Sequence, residues 1–260
     1  MTTSSAVARS TPVRHRWLPR QHGGWAMLLL PLLLGVAASR PDPWQLVLAA
    51  AAVGAYVSSA TIQAWARARR PAAYRAPIVV WGALFAVSGV ALVAAFPSLL
   101  LSAVVIVPAA AITLAGARPG RRRDLVNSLA QVAQALVLVP AGALVSGTFD
   151  VPAVATATVV AAVYLVGTVL VVRSVLSERG NRTFATLSAG FHATALIGAL
   201  IVLPLAYAVV AAWLTARAIG LPVVQQRLAG TRRPLRPIHV GIVEMLSSLA
   251  VVAVSFAVPV

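Results

Sequence analysis

Thr183–Ala216 reads TFATLSAGFHATALIGALIVLPLAYAVVAAWLTA, 34 residues without a charge between Arg182 and Arg217. As helix it would extend about 51 Å, against roughly 30 Å of hydrocarbon in a bilayer. That is too long for one crossing and barely enough for two. Pro204 lacks an N–H and disfavours helical geometry before it, so the chain is expected to turn back there. The segment predicts two antiparallel membrane spans, with a re-entrant pair as the rival.

The rest of the 260-residue chain has the same character. Hydrophobic residues make up 60% and charged residues 10%, against roughly 45–50% and about 25% in soluble domains. So few charges cannot cover a soluble sphere of this size. Backbone polar groups in lipid must be satisfied within the segment, so the spans are helices. Apolar runs between charges predict nine of them: Gly24–Ala38, Trp44–Ala66, Pro77–Ala95, Ser98–Ala117, Leu125–Ser146, Val151–Val172, Thr183–Leu203, Leu205–Leu221 and Ile238–Pro259. The fold class read from this is an all-α polytopic membrane bundle. Residues 1–13 are expected to be a disordered cytoplasmic tail and residues 14–260 a single transmembrane domain.

The basic residues orient the bundle. All 21 are arginines, against five acidic residues, for a net charge of +16. With nine spans and a cytoplasmic N-terminus, every arginine except Arg40 falls on the cytoplasmic side, as the positive-inside rule requires. The topology is therefore expected to be N-in/C-out. Such a rim suits anionic lipids at the cytoplasmic face. Nucleic acid is not an expected partner, because the arginines lie between apolar spans and not on one compact module. Without cysteine, thiol and Cys-type metal chemistry is excluded. Four histidines leave little for a metal site, and no cofactor is expected.

Polar side chains inside spans cost a few kcal/mol and so tend to face a bundle interior or cavity. Tyr56, Ser59 and Gln63 share one face of the second span, and Asn127, Gln131 and Gln134 one stripe of the fifth. Ser188 and His192 are one turn apart, with His192 roughly 15 Å deep. Glu244 lies about 10 Å deep, followed by Ser247 and Ser248. All four clusters occupy the cytoplasmic half, which predicts a polar cavity open to the cytoplasm. Each also has a structural reading. The amides can be interhelical glue, His192 a satisfied core histidine, and Glu244 an ion pair with Arg182 or Arg236.

Two segments mark the cytoplasmic rim. The first is Pro19–Met27, where Gly23 and Gly24 allow close backbone approach and Arg20, Gln21 and His22 can donate to an anion. The second is Arg173–Arg182, where Arg173, Arg179 and Arg182 surround Glu178 as an anion clamp would. There Gly180-Asn181 reads as a helix stop and restart.

The Q-H-G-x-W-A-M-L run from Gln21 to Leu28, the E-R-G-N-R run from Glu178 to Arg182 and the span pattern resemble the YwiC-like family of bacterial membrane proteins. That resemblance implies a multi-pass topology and a bacterial inner (plasma) membrane location; it brings no activity with it. A weaker likeness links the chain to the UbiA prenyltransferase superfamily, which implies nine helices, an inside N-terminus and a cytoplasm-facing active site. That family holds Mg²⁺ and a prenyl diphosphate with Asp-rich motifs after helices two and six. Here Arg67–Arg75 has no carboxylate and the later loop offers Glu178 alone, too little for two Mg²⁺ sites.

The function expected is binding, with movement as an extension, of an anionic or amphipathic small molecule in a cytoplasm-facing cavity. Arg20, Gln21, His22, Glu178, Arg179, Asn181 and Arg182 would form its rim. Gln63, Asn127, Gln131, Gln134 and His192 would line it, with Glu244 as a proton- or Arg-linked carboxylate. The sequence leaves enzyme activity open. The alternatives are a UbiA-like intramembrane prenyltransferase with degenerate Asp motifs and a non-catalytic membrane assembly protein.

Overall fold

In a computed structural model the described residues are 17–19, 22–66, 68, 71–116, 125–229, 235 and 237–258, with His22 described by its backbone alone. They form helices and no strands. The helices are α1 (His22–Ala37), α2 (Pro43–Ala66), α3 (Arg75–Ala95), α4 (Ala103–Gly116), α5 (Leu125–Leu136), α6 (Leu138–Val145), α7 (Val151–Leu176), α8 (Arg182–Val202), α9 (Leu205–Leu228) and α10 (Pro237–Ala257). Short 3₁₀ turns at Pro71–Tyr74 and Pro97–Ser102 lead into α3 and α4. Among the described residues eight helical segments are long and apolar enough to cross a membrane, and Gly23–Ala37 is a shorter apolar helix. The expected polytopic helical bundle is what the chain forms.

Three antiparallel hairpins, α2–α3, α4–α5 and α8–α9, surround a centre made by α1 and α7. Helix α1 packs against α2, α5, α6, α7 and α10, and α7 against α1, α5, α6, α8, α9 and α10. Their shared core contains Leu30, Leu34, Val139, Ala161, Tyr164, Leu165 and Val251. Backbones approach closely where glycines allow it. A Cβ on Gly35 would lie 2.9 Å from the Val139 carbonyl oxygen, and one on Gly54 2.7 Å from the Phe85 nitrogen. Bundles in lipid gain stability from such close van der Waals packing, since lipid tails are as apolar as the helices. The outward faces of α3 and α4 are correspondingly apolar, with Val79, Val87, Val90, Val104 and Val107 exposed.

Two segments depart from the simple span pattern. The expected fifth span breaks at Val137 into α5 and α6. Pro140 accounts for the break: its ring would clash with the Leu136 carbonyl four residues earlier, and it has no N–H to donate there. The eighth span is longer than its expected end at Leu221. Helix α9 runs on to Leu228 and carries Arg217 within it. By length both α8 and α9 can cross a bilayer, so Leu203–Pro204 is the tip of a full hairpin. Arg217 is thereby corrected from a rim position to one inside the bundle.

The two ends of the bundle differ. At one end, the α1–α2 turn meets the α6–α7 turn through Arg40 N–H donating to Thr148 Oγ1 (3.1 Å). Buried Gln45 ties the same end together. Its Nε2 approaches Ser39 Oγ (3.0 Å), Arg40 O (3.2 Å) and Gly142 O (3.1 Å), and its Oε1 accepts from Asp42 N–H (3.1 Å). At the arginine-rich end, α7 stops at Leu176 and α8 restarts at Arg182. Gly180 takes a left-handed φ of 79°, which a residue with a Cβ adopts at a cost. Asn181 Oδ1 then accepts from Phe184 N–H (3.1 Å), an N-cap. The helix stop and restart read from Gly180-Asn181 is what forms there.

Candidate functional site

The polar side chains that meet inside the bundle come from four helices: Tyr164 and Thr168 (α7), His192 (α8), Arg217 (α9), and Glu244, Ser247 and Ser248 (α10). Measured from the arginine-rich ends of their helices, Glu244 lies about 10 Å in, Thr168 about 12 Å, His192 about 15 Å and Arg217 about 16 Å. They form one layer in that half of the bundle.

Its centre is an ion pair. Arg217 Nη1 donates to Glu244 Oε2 at 2.6 Å, with the two side chains 1% and 10% exposed. Thr168 Oγ1 donates to the same Oε2 (2.9 Å). The Arg217 guanidinium stands 5.8 Å from the centroid of the Tyr164 ring, within cation–π reach. Tyr164 Oη donates to the Glu244 main-chain oxygen (3.0 Å) and lies 2.7 Å from Ser248 Oγ. Trp213 Nε1 donates to Ser247 Oγ (3.1 Å). His192 is held by its Nδ1 against Ser188 O (2.7 Å), and Thr215 Oγ1 donates to His192 O (3.1 Å). The imidazole fits because position 167 is glycine: a Cβ there would fall 2.7 Å from His192 Nε2.

The pair is incompletely satisfied. Among the described residues, Arg217 Nε and Nη2, Glu244 Oε1 and Ser188 Oγ have no hydrogen-bond partner although they are shut off from solvent. Removing such groups from water without a partner is costly, most of all for charged ones. Gln225 Oε1 is in the same condition. Gln225 lies two turns from Arg217 on the same face of α9, closer to the arginine-rich end, and is itself buried.

The expected site residues fall into several groups. His192 and Glu244 are brought together around Arg217. Glu244's partner is Arg217, which corrects the expected pairing: Arg182 is exposed in the first turn of α8, and Arg236 lies outside the described residues. Gln63 sits on α2 with Nε2 3.5 Å from Ser59 Oγ; α2 packs on α1, α3 and α6, away from the Arg217 layer. Asn127 faces Gly116 of α4. Gln134 Nε2 donates to Thr113 Oγ1 of α4 (3.0 Å), an interhelical tie, while Gln131 is exposed. Glu178 accepts from Arg173 Nη2 (3.3 Å) and Asn181 Nδ2 (3.1 Å). Arg179 Nε donates to Val175 O (3.0 Å), closing the end of α7. Arg20 and Gln21 lie outside the described residues, as do residues 1–13, and His22 opens α1. Glu178 and Glu244 thus belong to separate networks, and no three His, Asp or Glu side chains gather where a metal could sit, among the described residues.

Tyr164, Thr168, Arg217 and Gln225 are the members that sequence reasoning missed. For Arg217 a signal existed. A helix starting after Pro204 has risen only about 18 Å by residue 217, too little to have crossed the hydrocarbon.

Comparison with known proteins covers part of the chain. The family described as YwiC-like protein matches residues 18–143, which include the Gln21–Leu28 run; Glu178–Arg182 lies beyond the match. The chain is also 29% identical over 182 residues to the Bacillus subtilis (strain 168) protein named "Uncharacterized protein YwiC", covering 67% of this chain and 73% of that one. No solved structure gives a significant match. The resemblance to the YwiC-like family is thereby shown.

Proposed function

We propose that this YwiC-like multi-pass membrane protein binds an anionic or amphipathic small molecule at the Arg217–Glu244 layer, approached from the cytoplasmic side of a bacterial inner membrane. The observation that carries the reading is the half-used ion pair. Among the described residues, Arg217 and Glu244 spend one contact on each other and leave Nε, Nη2 and Oε1 unengaged where water is excluded. A pair kept only for stability gains most when its remaining donors and acceptors are satisfied. Open donors on a buried guanidinium suit a ligand oxygen.

The approach is from the arginine-rich end. Gln225 lies on α9 in that direction, and Arg173, Arg179, Arg182 and Arg227 lie at the same end of the bundle. By the positive-inside rule that end is cytoplasmic, and its field concentrates anions. Towards the opposite end the layer meets Val251, Leu214, Ala157 and Leu34 of the apolar core. Binding therefore ranks ahead of movement across the membrane.

The test is native mass spectrometry with lipidomics on protein purified in non-ionic detergent, comparing wild type with Arg217→Lys. Lysine keeps the charge and loses the planar fork. A species co-purifying with wild type and depleted at least tenfold in Arg217→Lys is expected. Equal retention in both would overturn the proposal.

A further inference from the structure

Resting on that binding reading, we infer that the polar group taken by this site is zwitterionic, with an oxyanion side-on against Arg217 and a donor group of the same molecule on Glu244. The open atoms form a pattern. Glu244 occupies Nη1, one tip of the guanidinium, and the unengaged Nε and Nη2 lie together on another edge. Those two N–H groups point side by side, the fork that matches two oxygens of a carboxylate or phosphate. The third open atom has the opposite need. In the ion pair with Arg217, Glu244 acts as a carboxylate, which only accepts, so Oε1 needs an N–H or O–H.

Three side chains beside the pair are committed elsewhere. Thr168 donates to Oε2, Tyr164 is engaged with Ser248 and the Glu244 main chain, and Trp213 donates to Ser247. Charge balance points the same way. Arg217 and Glu244 are together neutral, so a bare anion would leave one uncompensated negative charge in a low-dielectric interior, which is costly. A molecule carrying both an oxyanion and an ammonium leaves none. This chemistry occurs in free amino acids and in the phosphoethanolamine head of a lipid.

Matched probes separate these possibilities in the wild-type protein, delipidated in non-ionic detergent. One series is leucine, 4-methylpentanoate and 3-methylbutylamine, which share a skeleton and differ in carrying both groups, the acid alone or the amine alone. The other is short-chain phosphatidylethanolamine against phosphatidylglycerol of the same chains. At least one zwitterion is expected to bind about tenfold or more tightly than its one-group counterparts, the scale of a lost charge-assisted hydrogen bond. Preference confined to leucine identifies a free solute; preference confined to phosphatidylethanolamine identifies a lipid head.

In Glu244→Gln the preference should fall below about threefold; if it persists in folded protein, the assignment of Oε1 is wrong. If the one-group probes bind as tightly as the zwitterions, this inference is overturned and the binding reading stands. The same holds if no probe binds while Arg217→Lys still strips a co-purified species. If neither probe nor co-purified species is found, both fall.

Discussion

Two buried polar knots lie in this bundle, and they are built on opposite principles. The Gln45 knot is neutral and saturated. One amide reaches three acceptors on two sides of a helix contact, and its oxygen accepts from Asp42 N–H. The Arg217–Glu244 knot is charged and, among the described residues, leaves three polar atoms unengaged. A saturated neutral knot stabilises packing at little desolvation cost. A charged, half-saturated knot is a poor way to stabilise anything, since hydrophobic residues of similar volume often do as well or better. The contrast assigns structural work to the first and leaves the second as the place where the proposed ligand would bind.

The sharpest way to break that comparison is Arg217→Met. Glu244 would remain buried without its partner, and stability in detergent is expected to drop by about 3–5 kcal/mol, read as a lower unfolding temperature. The double change Arg217→Met with Glu244→Leu should recover most of that loss while retaining no ligand. A double variant as unstable as the single would make the pair structural. Next in size is Gly167→Ala, whose Cβ would press on His192; a loss of about 1–3 kcal/mol is expected, and an unchanged unfolding temperature would show that the imidazole can yield.

Gln45→Leu should cost about 1 kcal/mol and leave any co-purified species in place. Loss of that species would erase the distinction between the knots. Smallest are Arg182→Ala and Gln131→Leu, both at exposed positions, with stability changes within about 0.5 kcal/mol. A larger loss at Gln131 would place that face against a neighbour.

Apolar run length made the helices legible, because the hydrocarbon thickness is a hard constraint on any span. Pro204 was legible as a hairpin tip for the same reason. Arg217 was not: treating every arginine as a rim residue forces it outward, and only the arithmetic of helix rise from Pro204 corrects this. His192 and Glu244 stood out as ionisable groups in apolar surroundings. Tyr164 and Thr168 did not, since hydroxyls are common in membrane helices and bond readily to their own backbone, as Thr158 does to Val154 O. The amide stripe of α5 shows the deeper reason. Spacing tells which side chains share a face, but not which neighbour that face meets. Gln134 turned out to meet Thr113, and Gln131 no helix interior at all.

The placement of the two charges on consecutive helices also bears on how the chain enters the bilayer. A lone arginine or acidic residue near the middle of a helix costs roughly 2.5–3.5 kcal/mol to insert. Helix α9 brings Arg217 to the translocon first, and Glu244 follows only with α10. Stable integration of α9 is therefore expected to wait for α10, and nascent chains ending near residue 228 should slip out of the membrane more readily than chains carried through Ala257.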